Sequence, residues 1–264
     1  MVVSRCTWHG VVVLSAADLH QFSTDGFVRV PEAIPREIAL ACGELACEQL
    51  SVAATGPWPH AVVRGLVEGP QVSQAANAPT LMAAVGQLLH GEHWHARPNL
   101  GLFVVRVPCA EDPADTGWHI DASFQGPDTS NLWDWYVNHR SLDRGLLLLC
   151  LLSDVTANDA PTRILRGSHL AMPALLRPFG DEGVLGQKAP LPPDDGEVAL
   201  AVGDAGDVYL CHPFLVHAAT WPHDGTAPRV IAQPPISIDG PLQIERPDAE
   251  LSVVARTVHD ALQQ

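Results

Sequence analysis

The chain has 264 residues, 47% of them hydrophobic and 17% charged, a balance that excludes disorder and coiled coil and leaves ample apolar side chains for a core. Thirty acidic residues against fifteen basic ones give a formal charge of −15, which repels phosphate backbones and argues against nucleic acid as a partner. The longest purely apolar run, 146–152, is far short of the ~20 residues of a membrane helix, so neither a membrane nor a nucleic acid is expected and a small-molecule substrate is. Cys6, Cys42, Cys47, Cys109, Cys150 and Cys211 show no C-x-x-C spacing, and the apolar stretch 11–14 lacks the flanks of a signal peptide. Reduced, buried thiols in a cytoplasmic protein are the expectation.

In chain order, Ser15 with Asp18 three residues on marks a helix start, and Gly26 its end. Phe27-Val28-Arg29-Val30 then alternates as a strand. Pro35 fits the first position of a helix running to Leu50, and Leu81, Met82, Val85, Leu88 and Leu89 repeat at helical spacing over 79–90. After Pro98 the texture changes to short apolar runs at 102–107, 146–155, 198–202, 208–211, 214–219 and 230–238, separated by Pro, Gly and Asp clusters. Many short strands with such turns indicate a sandwich or barrel. The expected architecture is one domain, mainly β with α: a helical layer over about 14–95 and a β-barrel core over about 98–240.

Most of the thirteen histidines are expected to be surface or satisfied core residues. His119-Ile120-Asp121 differs, because in extended chain residues i and i+2 leave the same face and here offer one nitrogen and one oxygen ligand. Two His and one carboxylate on one face of an octahedron leave three open positions, the arrangement of non-haem Fe(II) oxygenases. The second His comes from the segment 206–220, which holds both His212 and His217, five residues apart with Pro213 between them, so facing alone does not choose. Spacing to Arg229 favours His217: a short turn through 222–228 would return Arg229 on a neighbouring strand beside the ligand, where it can pair bidentately with a carboxylate.

Four stretches together carry a family likeness: Phe22-Ser23-Thr24-Asp25-Gly26-Phe27-Val28, Gly117-Trp118-His119-Ile120-Asp121, the segment from Asp159 to Gly167-Ser168-His169, and Gly206 to Thr220 with Arg229. The chain resembles the phytanoyl-CoA dioxygenase-like family of Fe(II)/2-oxoglutarate oxygenases. That resemblance implies a double-stranded β-helix, a jelly-roll barrel closed by N-terminal helices. It places the metal and catalytic ligands on His119, Asp121 and His217, with the 2-oxoglutarate carboxylate on Arg229, and leaves His212 a structural or supporting role. It implies Fe(II), 2-oxoglutarate and O₂ as cofactors, with release of succinate and CO₂. A carboxylate at Asp121 favours hydroxylation or another oxidation over halogenation, which needs that position open for halide.

Two departures stand out. Arg166 replaces the proline that usually precedes Gly-Ser-His, and Ala218-Ala219 stand where relatives often carry Gly-Ser after the distal His. Thr220 is the remaining hydroxyl for a second cosubstrate contact, although one residue along a strand faces the other way. Trp133 and Trp135, with Tyr136 and His139, lie in the connection 126–144 and read either as an aromatic wall of the substrate pocket or as a loop packed on the barrel. Arg106, late in its strand, reads either as a substrate-binding residue facing the site or as a surface arginine. His60, His90, His93 and His95 are expected on the surface or in the core, without a carboxylate partner, and Ser168 and His169 are expected to brace a loop. The expected function is hydroxylation of a small organic molecule, such as a secondary metabolite or an amino-acid-like or acyl compound. A non-catalytic jelly roll binding a small ligand or metal, and a cupin-type isomerase or hydrolase, are the alternatives. The joint His/Asp/His/Arg set argues against both.

Overall fold

The computed structural model describes residues 12–109, 111–126 and 134–263. Helix α1, Ala16–Asp25, begins with the expected capping box: Ser15 Oγ accepts the Asp18 N–H while the Asp18 carboxylate accepts the Ser15 N–H. Gly26 ends it in the left-handed region at φ +84°, with its N–H donating to the Phe22 carbonyl. A Cβ there would also sit 2.5 Å from His169 Nδ1, so only glycine fits. Strand β1, Phe27–Val30, and helix α2, Arg36–Gln49, follow as expected, then β2, Val62–Leu66, and the helices α3, Pro70–Ala76, and α4, Pro79–Leu88.

The β-rich part comprises β3 (Leu102–Arg106), β4 (Phe124–Gln125), β5 (Trp135–Val137), β6 (Leu146–Leu151), β7 (Arg163–Leu165), β8 (Val184–Leu185), β9 (Val198–Leu200), β10 (Val208–Cys211), β11 (His217–Ala218), β12 (Arg229–Ala232) and β13 (Pro235–Ile236). Helix α5 spans Met172–Leu176 and α6 spans Val253–Gln263. The major sheet runs β1-β10-β6-β12-β3-β2, with β13 also on β6, and a minor sheet runs β11-β7-β9. A third sheet runs β4-β5-β8, and every named pairing is antiparallel. This is the double-stranded β-helix arrangement, although the described strands do not hydrogen-bond into one closed barrel.

Strand parity divides the major sheet into two faces. Val104, Leu147, Leu149, Leu151, Tyr209, Cys211 and Ile231 pack with Ile164 and Ala201 of the minor-sheet side, filling the space between the sheets. Their sequence neighbours Phe103, Val105, Leu148, Cys150, Leu210 and Val230 pack under the helices, α4 and α6 included. β6, buried at every position, is therefore apolar on both faces, each fully buried Leu being worth ~1.5–3 kcal/mol. No helix among the described residues is long and apolar enough to cross a membrane.

Two expectations change. The helical layer is not purely N-terminal, because α6 joins it through Val254, Ala255 and Val258. The strand carrying Arg229 is not a neighbour of the His217 strand. β11 pairs with β7, whereas β12 pairs with β3 and β6, so the turn after His217 crosses from one sheet to the other.

Candidate metal and cosubstrate site

His119 and His217 are direct backbone partners: each N–H donates to the other's carbonyl at 3.0 Å. Directly opposed residues of an antiparallel pair project to one face, and the two imidazole centroids lie 4.4 Å apart. Asp121 joins them by its i+2 parity. One ligand atom from each of His119, Asp121 and His217 lies within 4.8 Å of the others.

Both histidines are locked in one tautomer. His119 Nδ1 faces the Gly117 carbonyl and His217 Nδ1 the Leu215 carbonyl, each at 3.0 Å. A carbonyl only accepts, so Nδ1 carries the proton and Nε2 keeps its lone pair for a metal. Burial, reinforced by His119, pushes His217 down to about 4, so it is neutral at pH 7, the form that coordinates. Burial raises the Asp121 carboxyl, but Arg144 and the two histidines together hold it below its ordinary value, and it is ionised. The three side chains grade from exposed His119 through half-buried Asp121 to buried His217, so the site opens to solvent on the His119 side. Two nitrogens and one carboxylate at this spacing fit a divalent first-row metal.

Arg229 and Arg106 stand opposite each other in the β12–β3 register, on the inner face with Val104 and Ile231. Arg106 is not a surface arginine: it is 2% exposed and Arg229 is 3% exposed. Arg106 Nη2 donates to both Asp115 oxygens at 2.9 and 2.8 Å, and Arg229 Nη1 to the Ala160 carbonyl at 2.8 Å. Nε and Nη1 of Arg106 and Nε of Arg229 are buried without a partner. Burial, then the Arg106 charge, pushes the Arg229 guanidinium down to about 9. Two adjacent buried cations with idle donors fit an incoming carboxylate.

The remaining expected residues fall as follows. Thr220 Oγ1 donates to the Pro161 carbonyl, so that hydroxyl is committed elsewhere. Trp135 is half-buried in β5, opposite Gln125, with its Nε1 buried and unpartnered; Trp133 lies outside the described residues. Arg166, in place of the usual proline, pairs with Asp25 at 2.5 Å and Glu197 at 3.1 Å, tying its loop to the end of α1. Ser168 Oγ accepts the Val216 N–H and His169 Nε2 donates to the Ser23 carbonyl, both bracing contacts. His212 is buried against Phe22, Phe214 and His169 with Nε2 on Thr257, on the helical side and outside the metal cluster. His95 does have a carboxylate partner, Asp239 at 2.6 Å, with both groups exposed. Sequence reasoning missed two residues: Asp115, which holds Arg106, and Arg144, 3.1 Å from Asp121 Oδ2. A charged residue two positions ahead of an all-apolar strand is the faint signal that marks Arg144.

The phytanoyl-CoA dioxygenase (PhyH) family matches residues 59–229, about two thirds of the chain, a span holding all three candidate ligands and ending on Arg229. The chain belongs to the PhyH family. No curated protein matches it by sequence. Among solved structures, the epimerase SnoN, in complex with Fe³⁺, α-ketoglutarate and nogalamycin RO, is 18% identical over 84% of this chain and 82% of its own, with a TM-score of 0.58. HygX from Streptomyces hygroscopicus, with nickel and 2-oxoglutarate bound, is 19% identical over 87% and 88%, with a TM-score of 0.55. EvdO2 from Micromonospora carbonacea var. aurantiaca, complexed with 2-oxoglutarate, is 14% identical over 91% and 97%, with a TM-score of 0.57. The PhyH-family protein thus shares its fold with structures that hold 2-oxoglutarate and, in SnoN and HygX, a metal ion, Fe³⁺ or nickel.

Proposed function

We propose that this PhyH-family protein is an Fe(II)- and 2-oxoglutarate-dependent oxygenase that hydroxylates a small organic molecule in the cytoplasm. The observation that carries the reading is the His119–His217 backbone bridge, which brings two Nε2 lone pairs and the Asp121 carboxylate onto one face. His119, Asp121 and His217 would hold the metal. Arg229 would hold the far carboxylate of 2-oxoglutarate, with Arg106 taking the second contact that Ala218-Ala219 and Thr220 do not supply. Its place beside Arg229 moves Arg106 from substrate to cosubstrate binding in this reading. When bound, the iron and 2-oxoglutarate supply oxygen activation coupled to decarboxylation to succinate.

The chain's own residues do the positioning. Asp115 keeps Arg106 aimed inward, and the Ala160 carbonyl does the same for Arg229. The inner apolar cluster excludes water, which strengthens each arginine–carboxylate pair. Trp135 is the described candidate for the substrate wall. SnoN is described as an epimerase, so a second outcome, inversion at the attacked carbon, stands beside hydroxylation. Anaerobic addition of Fe(II) and 2-oxoglutarate should give a visible metal-to-ligand charge-transfer band, lost in His217→Ala. A wild-type protein without that band overturns the assignment. Product analysis by mass separates hydroxylation (one added oxygen) from epimerisation (no change).

A further inference from the structure

Arg144 is an unusual neighbour for a metal-binding carboxylate. Its side chain is only 9% exposed, and its Nη1 forms an ion pair with Asp121 Oδ2 at 3.1 Å, outside hydrogen-bond geometry. The other oxygen, Oδ1, lies 3.9 Å from His217 Nε2, so the two oxygens of Asp121 are divided between the arginine and the metal cluster.

The chain around Arg144 is held unusually firmly. Buried Asn138 accepts the N–H groups of Arg140 and Leu142 on its Oδ1, at 3.2 and 3.1 Å, and donates to the Asp181 carbonyl. Ser141 Oγ donates to the Arg144 carbonyl at 2.8 Å, and the Arg144 N–H returns to the Ser141 carbonyl at 3.2 Å. On either side of Arg144, Asp143 N–H donates to Gly240 and Gly145 N–H to Ile236. Ser141 and Asp143 are both left-handed, at φ +48° and +65°. Such conformations in non-glycine residues persist where surrounding contacts over-determine them, and they cluster at functional sites.

We propose that Arg144 is a positioning residue that retains Oδ2 of Asp121, so that Oδ1 alone is presented to the metal. This rests on the reading that His119, Asp121 and His217 bind a divalent metal. The consequence follows from counting positions. Two histidines and one carboxylate oxygen leave three positions on an octahedron, two for a chelating cosubstrate and one for O₂. A carboxylate binding through both oxygens leaves two, and the cosubstrate then has to displace an oxygen or block the last position.

The test loads the full-length protein with Mn(II) for crystallography and with Co(II) for visible absorption, whose intensity falls as coordination number rises. Wild type and Arg144→Lys should show one Asp121 oxygen on the metal. Arg144→Gln should show both, with a weaker Co(II) spectrum and at least a tenfold loss of 2-oxoglutarate affinity that Arg144→Lys largely restores. Metal affinity alone is a poor readout, because removing a nearby cation itself favours binding a dication. One-oxygen coordination and an unchanged Co(II) spectrum in Arg144→Gln overturn the proposal, even if substrate KM rises. If that variant does not fold, Arg144→Ala with added guanidinium replaces it: guanidinium should restore the wild-type Co(II) spectrum, and failure to do so overturns the proposal equally. A wild-type protein that takes up neither metal ion refutes the underlying metal assignment instead.

Discussion

Replacing Arg229 with methionine should leave the empty protein at least as stable as wild type while destroying its hold on 2-oxoglutarate. Burial and the neighbouring Arg106 lower the Arg229 guanidinium from the ordinary arginine range to about 9, which corresponds to a cost on the order of 5 kcal/mol for keeping the charge in the empty protein. At pH 7 that arginine is charged in both folded and unfolded chains, so the cost is fully present. It disappears only as pH rises through about 9 towards the ordinary arginine range. Methionine removes this cost but leaves the Ala160 carbonyl without its donor, a loss of ~1–3 kcal/mol. The net effect is neutral to stabilising. In the bound state the variant leaves a buried carboxylate without its cation, costing ~3–5 kcal/mol, or roughly 100- to 4,000-fold in Kd. Arg106 cannot fully substitute, because its Nη2 is engaged by Asp115. Thermal unfolding of the Mn(II)-loaded protein with and without 2-oxoglutarate reads both effects. Wild type should gain Tm with ligand, and Arg229→Met should start no lower and gain nothing. A variant that melts several degrees lower without ligand, or binds 2-oxoglutarate within fivefold of wild type, refutes the reasoning.

Asp115→Asn should raise the 2-oxoglutarate KM about tenfold while leaving metal bound, because Arg106 loses a charge-assisted anchor worth ~1.5–3 kcal/mol; an unchanged KM would remove Arg106 from the cosubstrate site. His217→Ala should lose metal and succinate release. His212→Ala should keep metal yet lose ~2–4 kcal/mol of stability through a cavity and its broken bonds to Phe214 and Thr257, and the reverse pattern in metal content would place the ligand on the wrong histidine. Burial lowers His169 to about 4 and His212 well below 6.5, so the unfolded chain takes up protons first. Stability should be complete above pH ~6.5 and fall as pH drops towards 4, by on the order of 3 kcal/mol for His169. A Tm constant between pH 6.5 and 4.5, or a slope unaltered in His169→Gln, would contradict this.

Local periodicity and capping were sufficient for α1, β1, α2, α4 and most of the strand positions. Each depends on residues within a few positions of one another, and the sequence records those directly. The i+2 pairing of His119 with Asp121 is local in the same sense. Facing left His212 and His217 both open, and it was spacing to Arg229 together with the family likeness that favoured His217. Tertiary structure alone decided the rest. Nothing near His119 specifies that its N–H will meet the His217 carbonyl, nor that Arg229 will return in the opposite sheet with Arg106 at its side. β2 escaped notice because its partly exposed residues carry little apolar signal, and α6 because it lies beyond the last strand pattern. Arginine presents the deepest gap: outside a recognised motif such as that of Arg229, its charge reads as surface. Arg106 and Arg144 are buried only because Asp115 and Asp121 arrive through the fold to face them, and a buried charge is determined by its partner.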